Sequence, residues 1–270
     1  MLIYNFEEVI VIFKGCVFLL LFAFLNFNTC SAETIKIQES VFVEDDDILD
    51  EFEDEFEDEE STYKPDPLNK YNRFMTSFND NLYQHILTPV SDGYSYILNK
   101  DIRDSVDNFF DNLYFPPRVV NNLLQGKFNN ASEETGRFII NSTVGILGFF
   151  DVAKSKFNLY EHREDFGQTL GFYGVDSGPH IVLPIFGPSN LRDTLGMIPD
   201  SYISPFDYTD RKWFTVTDTW TELGAVKSFE EINSFSLNKI NYEKLKKDAI
   251  DLYPYLRDVY EQYRDKQIKE

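Results

Sequence analysis

Residues 66–86 read DPLNKYNRFMTSFNDNLYQHI, and this stretch decides the fold class. Leu68, Tyr71, Met75, Phe78, Leu82 and Ile86 recur at steps of three and four, the spacing that gathers side chains on one stripe of an α-helix. Asp66 is placed to cap the helix and Pro67 suits its first position, where a missing N–H costs nothing. The pattern predicts a helix that ends before Pro89. Downstream, Ile102, Val106, Phe109, Phe110 and Leu113 mark a second helix from about Asp101, stopped by Pro116-Pro117. Pro117 opens a short third helix that Gly126 closes, and a fourth spans about Ser132 to Asn141. A helix returns near Leu191, residues 201–236 stay ambiguous, and a last helix runs from about Tyr242 to Lys269 with a kink at Pro254.

Two stretches break the helical rhythm. Residues 144–153, VGILGFFDVA, are apolar yet hold Gly145 and Gly148, each of which weakens a helix by about 1 kcal/mol relative to Ala. They read either as a buried helix end or turn, or as an apolar hairpin able to move. Between Phe166 and Pro188 glycines alternate with prolines, which excludes a long helix and leaves His180 to Phe186 as a short extended piece. The outcome is a mainly α domain with one Gly/Pro-rich irregular insert.

The N-terminal part has a different character. Lys14 precedes an apolar run, residues 15–27, followed by small and polar residues, the order of an export signal. The run is shorter than the roughly 20 residues a membrane span needs, although a retained signal anchor is the alternative. Residues 1–32 are therefore read as a leader. The two cysteines, Cys16 and Cys30, both lie in it, so no disulfide framework is available to the rest. Cys30 is the candidate lipidation site, and ordinary cleavage after Ala32 fits as well. Residues 33–65 carry 15 acidic residues and two lysines and read as a disordered acidic linker. They hold most of the formal net charge of -21. The remaining residues, 66–270, form the folded domain.

Several functions are excluded or disfavoured. There is no basic stripe for nucleic acid, and no nucleophile elbow, zinc-protease motif or phosphate loop. His85, His162 and His180 lie far apart; His162 beside Glu161, Glu164 and Asp165 reads as a solvated turn before a metal or acid–base cluster. The positive signal is wide apolar, aromatic helix faces on a chain of mean hydropathy -0.34. Such faces suit either a globular core, which composition favours, or helices at a membrane interface.

The order of motifs adds a resemblance. Asp66-Pro67-Leu68, Tyr71-Asn72-Arg73, Met75 and Phe78-Asn79 open a series that continues with Asn108 to Leu113, Pro116-Pro117 and Val120 to Gly126. Arg137-Phe138, Asn141 to Ile146, Gly148 to Ala153, Glu164 to Gly171 and Gly187-Pro188-Ser189 follow in order. This series resembles the MlaA (VacJ) family of outer-membrane phospholipid-trafficking lipoproteins, some of which are linked to virulence. The resemblance implies a single ring-shaped domain of amphipathic helices around a central channel, on the periplasmic side of the outer membrane. It implies removal of mislocalised phospholipids from the outer leaflet, with an outer-membrane porin trimer and a periplasmic lipid carrier as partners. No enzyme activity and no cofactor are implied. Gly145, Ile146, Leu147, Gly148, Phe149 and Phe150 match the hairpin that gates the channel. Phe78 and Asn79 match a segment that tunes its resting state. Arg73, Arg137 and Arg192 are candidate phosphate contacts, each weighed against pairing with an internal carboxylate. If the two hairpin glycines act as a hinge, changing both to Ala slows transport without unfolding the domain.

Overall fold

The computed structural model describes residues 66–206, 216–217 and 219–270. The leader, Cys30 and the acidic tract lie outside the described residues. Helix α1, Asn69–Leu82, begins after a turn in which Asp66 accepts the Leu68 N–H at 3.2 Å and the Asn69 amide at 3.1 Å. The regular α-helix stops before Pro89, as the pattern predicts, but the chain stays helical beyond it. A π-helical turn, Tyr83–Leu87, joins it to α2, Thr88–Ile97, with Pro89 in the first turn of α2. The wider turn interrupts the regular hydrogen-bond ladder, so a residue without an N–H passes where a continuous α-helix would break.

Helix α3, Lys100–Leu113, is capped by the Asn99 side chain, which accepts the Ile102 N–H at 3.0 Å. Pro116 and Pro117 then open α4, Phe115–Leu124, and Gly126 closes it with φ +75°. Helix α5 spans Phe128–Thr143, and α6, Val152–Phe157, is capped by Asp151. Asp165 caps α7, Phe166–Phe172. The extended piece is one arm of an antiparallel hairpin: β1, His180–Leu183, pairs with β2, Gly187–Asn190, with His180 opposite Asn190. Asn190 caps α8, Leu191–Ile203. The ambiguous region proves largely helical, since α9 runs from Trp220 to Asp248. The predicted kinked last helix is two helices. A break at Ala249–Asp251 precedes α10, Leu252–Lys269, and Pro254 sits in its first turn, where it disturbs no hydrogen bond.

Neighbouring contacts run in a closed circuit. Helix α1 leads through the π turn to α2, which packs on α9, and α9 on α3. Helix α3 packs on α4 and α5, α4 on α7, α7 on α8 and α10, and α10 returns to α1.

Burial departs from the order of polarity expected of a globular core. A compact aromatic cluster does form, with Phe109 stacked on Phe149 at 5.0 Å and Phe110 5.9 Å from Phe206. Yet the side chains with least exposure are almost all polar, led by Glu134, Asn72, Asn121, Asn122, Asn190 and Asn233. On α1 the buried stripe is Asn72, Thr76 and Asn79, while Tyr71, Phe74 and Phe78 face outward. Ile86, Tyr96, Ile97, Phe128, Ile139, Leu195 and Ile198 are likewise exposed. An exposed apolar surface of this extent marks a lipid or protein contact rather than a face in water.

Candidate functional site

Helices α3, α4, α5 and residues 151–161 enclose a cavity of about 470 Å³ whose lining is mainly charged and amide-bearing. Its floor is a set of ion pairs. Arg118 donates to the Asp111 carbonyl at 2.7 Å, to the Asp111 carboxylate at 3.0 Å and to Glu161 Oε2 at 3.2 Å. Arg137 donates to Asp151 at 2.9 Å and to the Leu159 carbonyl at 2.5 Å. Glu134, almost fully buried, accepts the His162 N–H and lies 3.8 Å from Arg118. Burial raises the Glu134 carboxyl above its usual range despite the pull of Arg118. The neighbouring guanidinium groups of Arg163 and Arg118 outweigh burial at Glu161 and hold it below. Phe115 and Phe138, stacked at 3.8 Å, supply an aromatic wall.

The candidate hairpin lies beside the cavity, which its flanking residues Asn141 and Asp151 line. Asn141 donates to Asp151 at 3.0 Å and accepts the Ala153 N–H at 2.9 Å, clamping both ends of the loop. Inside it, Gly148 N–H donates to the Asn141 carbonyl at 2.8 Å and Phe150 N–H to the Gly145 carbonyl at 3.0 Å. Ile146 and Leu147 are left-handed, with φ 53° and 59°, a conformation costly for side chains with a Cβ. Phe149 is buried, whereas Val144, Ile146 and Phe150 are exposed at the loop surface. Gly145 and Gly148 are not open hinges. A Cβ on Gly145 would lie 2.2 Å from the Phe150 carbonyl oxygen, and one on Gly148 would lie 2.5 Å from the Asn112 Cβ. A methyl group at either position would force its neighbours to shift, so both alanines are expected to strain the loop.

Phe78 and Asn79 also sit in a defined place. Phe78 is exposed, while the Asn79 amide donates to the Leu183 carbonyl at 2.9 Å and accepts the Ile185 N–H at 2.8 Å. Asn72, two turns earlier, makes the same bidentate grip on His180 and Val182. These two asparagines act as a surrogate strand edge along β1. Replacing Asn79 with Ala leaves both backbone groups without their partner, at a cost of about 1–3 kcal/mol. The expected signature is faster amide exchange at Ile185 with α3 unaffected; unchanged exchange would count against the grip.

The three candidate arginines are each paired internally. Arg73 reaches Asp251 at 2.7 Å and is half exposed; Arg137 holds Asp151; Arg192, buried, lies 3.0 Å from Asp193. His162 lies 3.0 Å from Glu133, and no three metal-ligating side chains converge among the described residues. Sequence reasoning missed Arg118, Glu134, Lys154 and Glu161 on the cavity. A signal was present: Arg118, Asn121 and Asn122 on α4, and Glu134, Arg137 and Asn141 on α5, form polar stripes at helical spacing.

Beside the cavity, Asp107 makes a pH prediction. Burial raises its carboxyl from 3.8 to about 6, with Asp111 adding repulsion. The folded state then binds more protons than the unfolded chain, so stability falls as pH rises through this interval. Asp107→Asn is expected to flatten that fall and to gain up to about 1 kcal/mol at pH 7, after allowance for solvent screening. Urea midpoints measured from pH 4 to 8 check it, and an unaltered slope would contradict it.

Residues 64–267 match the family model described as MlaA lipoprotein. The chain belongs to this family. The chain is 31% identical over 205 residues to the intermembrane phospholipid transport system lipoprotein MlaA of Escherichia coli, covering 75% of this chain and 78% of that protein. The corresponding MlaA lipoprotein of Haemophilus influenzae is 32% identical, covering 76% and 78%. An uncharacterised protein of Rickettsia prowazekii is 42% identical over 156 residues, where the match spans 57% of this chain and only 61% of the relative. A structure solved in work on the maintenance of bacterial outer membrane lipid asymmetry superposes with a TM-score of 0.65 at 29% identity. That match covers 76% of this chain and all of the solved one. The MlaA match thus takes in the cavity, the hairpin and the asparagine grip.

Proposed function

We propose that this chain takes mislocalised phospholipids from the outer leaflet of the outer membrane and passes them to a periplasmic lipid carrier, maintaining lipid asymmetry. The observation that carries this reading is the inverted radial order: amides and ion pairs inside, aromatic and aliphatic side chains outside. Membership of the MlaA family supplies the transported class, since the named relatives belong to a phospholipid transport system. Among the described residues no helix is long and apolar enough to cross a membrane. Helices with exposed apolar faces then lie within one leaflet, and the closed circuit of contacts supports a ring around a polar path. In this reading the chain sits on the periplasmic side, beside a porin trimer. Transport requires no cofactor and breaks no covalent bond. The hairpin of residues 144–151 gates the path, its exposed Val144, Ile146 and Phe150 meeting lipid tails. Phe78 and Asn79 set its resting state through the grip on β1. The family's description as lipoproteins favours an acyl anchor at Cys30.

The test is depletion of the chain, with phospholipid in the outer leaflet measured by a leaflet-specific probe. The account expects a rise that the intact gene reverses. No change would move the chain to a structural role in the envelope.

A further inference from the structure

We propose that the cavity between α3, α4 and α5 is a seat for a phosphodiester headgroup carrying a primary ammonium, and that it disfavours headgroups that are purely anionic. The inference deepens the transport reading above and rests on it. Its basis is the balance of charges left over once the internal pairs are made. Three cations line the cavity, Arg118, Arg137 and Lys154, against four carboxylates, Asp111, Glu134, Asp151 and Glu161. Both arginines are committed to carboxylates or carbonyls on its floor. Asp151 uses both oxygens, on Arg137 and Asn141, and Asp111 uses both, on Arg118 and Arg163.

What remains open is one ammonium and one oxygen of a carboxylate that two guanidinium groups share. Lys154 is exposed and its ammonium has no partner among the described residues. Glu161 receives both Arg118 and Arg163 on Oε2, at 3.2 and 3.0 Å, and leaves Oε1 open. The Asn108 amide and the Tyr160 hydroxyl, also on the lining, likewise have no partner among the described residues. Lys154, Tyr160 and Asn108 suit the oxygens of a phosphodiester, and Glu161 suits an ammonium. A headgroup with both charges leaves no group of the cavity unmatched. One with a phosphate alone answers Lys154 but meets the surplus carboxylate, and like charges in a partly dry site repel. The Phe115–Phe138 stack gives the glycerol and first methylenes an apolar surface.

The test titrates the purified full chain in detergent with dihexanoyl phosphatidylethanolamine, dihexanoyl phosphatidylglycerol and tail-free glycerophosphoethanolamine. The expected order is phosphatidylethanolamine tighter than phosphatidylglycerol by roughly tenfold, the scale of one charge-assisted hydrogen bond. Glu161→Gln should bring the two lipids to equal affinity, whereas Lys154→Gln should weaken both and keep their ratio. Lys154 is exposed, so its variant reads binding without disturbing the fold. Equal affinities in the unaltered chain, or a ratio insensitive to Glu161→Gln, would overturn the proposal. Glycerophosphoethanolamine binding as tightly as the lipid would make a soluble ester the ligand and overturn the lipid assignment. The transport reading is judged apart, by transfer of labelled long-chain lipid. Transfer without headgroup preference ends this inference alone, and absence of any transfer ends the transport reading.

Discussion

Replacing Arg264 with Ala is expected to lower the unfolding free energy by about 3–5 kcal/mol, the cost of leaving a buried charge without its partner. Arg264 lies on α10 and donates to Asp165 at 2.7 and 2.9 Å and to Asp193 at 2.9 Å. Those carboxylates are not spare surface groups. Asp165 caps α7, and Asp193 lies in the first turn of α8, where it also accepts from Arg192, Tyr260 and Asn190. One guanidinium therefore ties the last helix to the starts of two others. The site is packed without slack, because a Cβ on Gly167 would lie 2.4 Å from an Asp193 oxygen. Burial raises the Asp193 carboxyl, but its bonds to Arg264 and Arg192 outweigh it and bring it below 3.8. Its contribution to stability is thus present above the unfolded value and is lost as pH falls below it. Urea unfolding in detergent measures the loss, and amide exchange along α10 should rise first. A change under about 1 kcal/mol would show that the cluster is not what holds α10.

The second large effect is at the hairpin. Changing Gly145 and Gly148 together to Ala is expected to cost about 2–4 kcal/mol, since one methyl meets a carbonyl oxygen and the other combines a close contact with φ +96°. Protection of the Leu147, Gly148 and Phe150 amides should disappear, and lipid transport should fall with it. Retained protection alongside slowed transport would return these glycines to the role of hinges. A cleaner probe of gating is Phe150→Ser, which alters the exposed apolar surface and leaves the clamp formed by Asn141 intact.

Much of the domain was legible because caps and stops act locally. Pro116, Pro117 and Gly126 delimit α3 and α4 through bonds made or refused within a turn, and the periodicity of α3 names its buried residues directly. Residues 144–151 were legible as non-helical for the same reason. Helix α1 shows the limit. Its stripes were plain in the sequence, but periodicity says which residues share a face, not whether that face meets water, lipid or protein. With the amide stripe turned inward to grip β1, Asn72 and Asn79 became structural and Phe74 and Phe78 became surface. The passage through Pro89 depends on a π turn that no local rule announces. Helix α9 was hidden because its apolar residues are spread around its circumference and form no single stripe. The cavity brings together residues 111, 118, 134, 151 and 161 from separate elements, a convergence that only tertiary structure displays.

The central claim is that lipid headgroups pass through the polar interior while the apolar exterior sits among lipid tails. A photo-crosslinking phenylalanine at position 138, on the cavity, and another at position 74, on the exterior, tests it in cells labelled with radioactive phosphate. The account predicts phospholipid adducts at both positions, with the adduct at 138 lost when the hairpin is disrupted. Adducts at 74 alone would show a protein that rests in the membrane and conducts nothing.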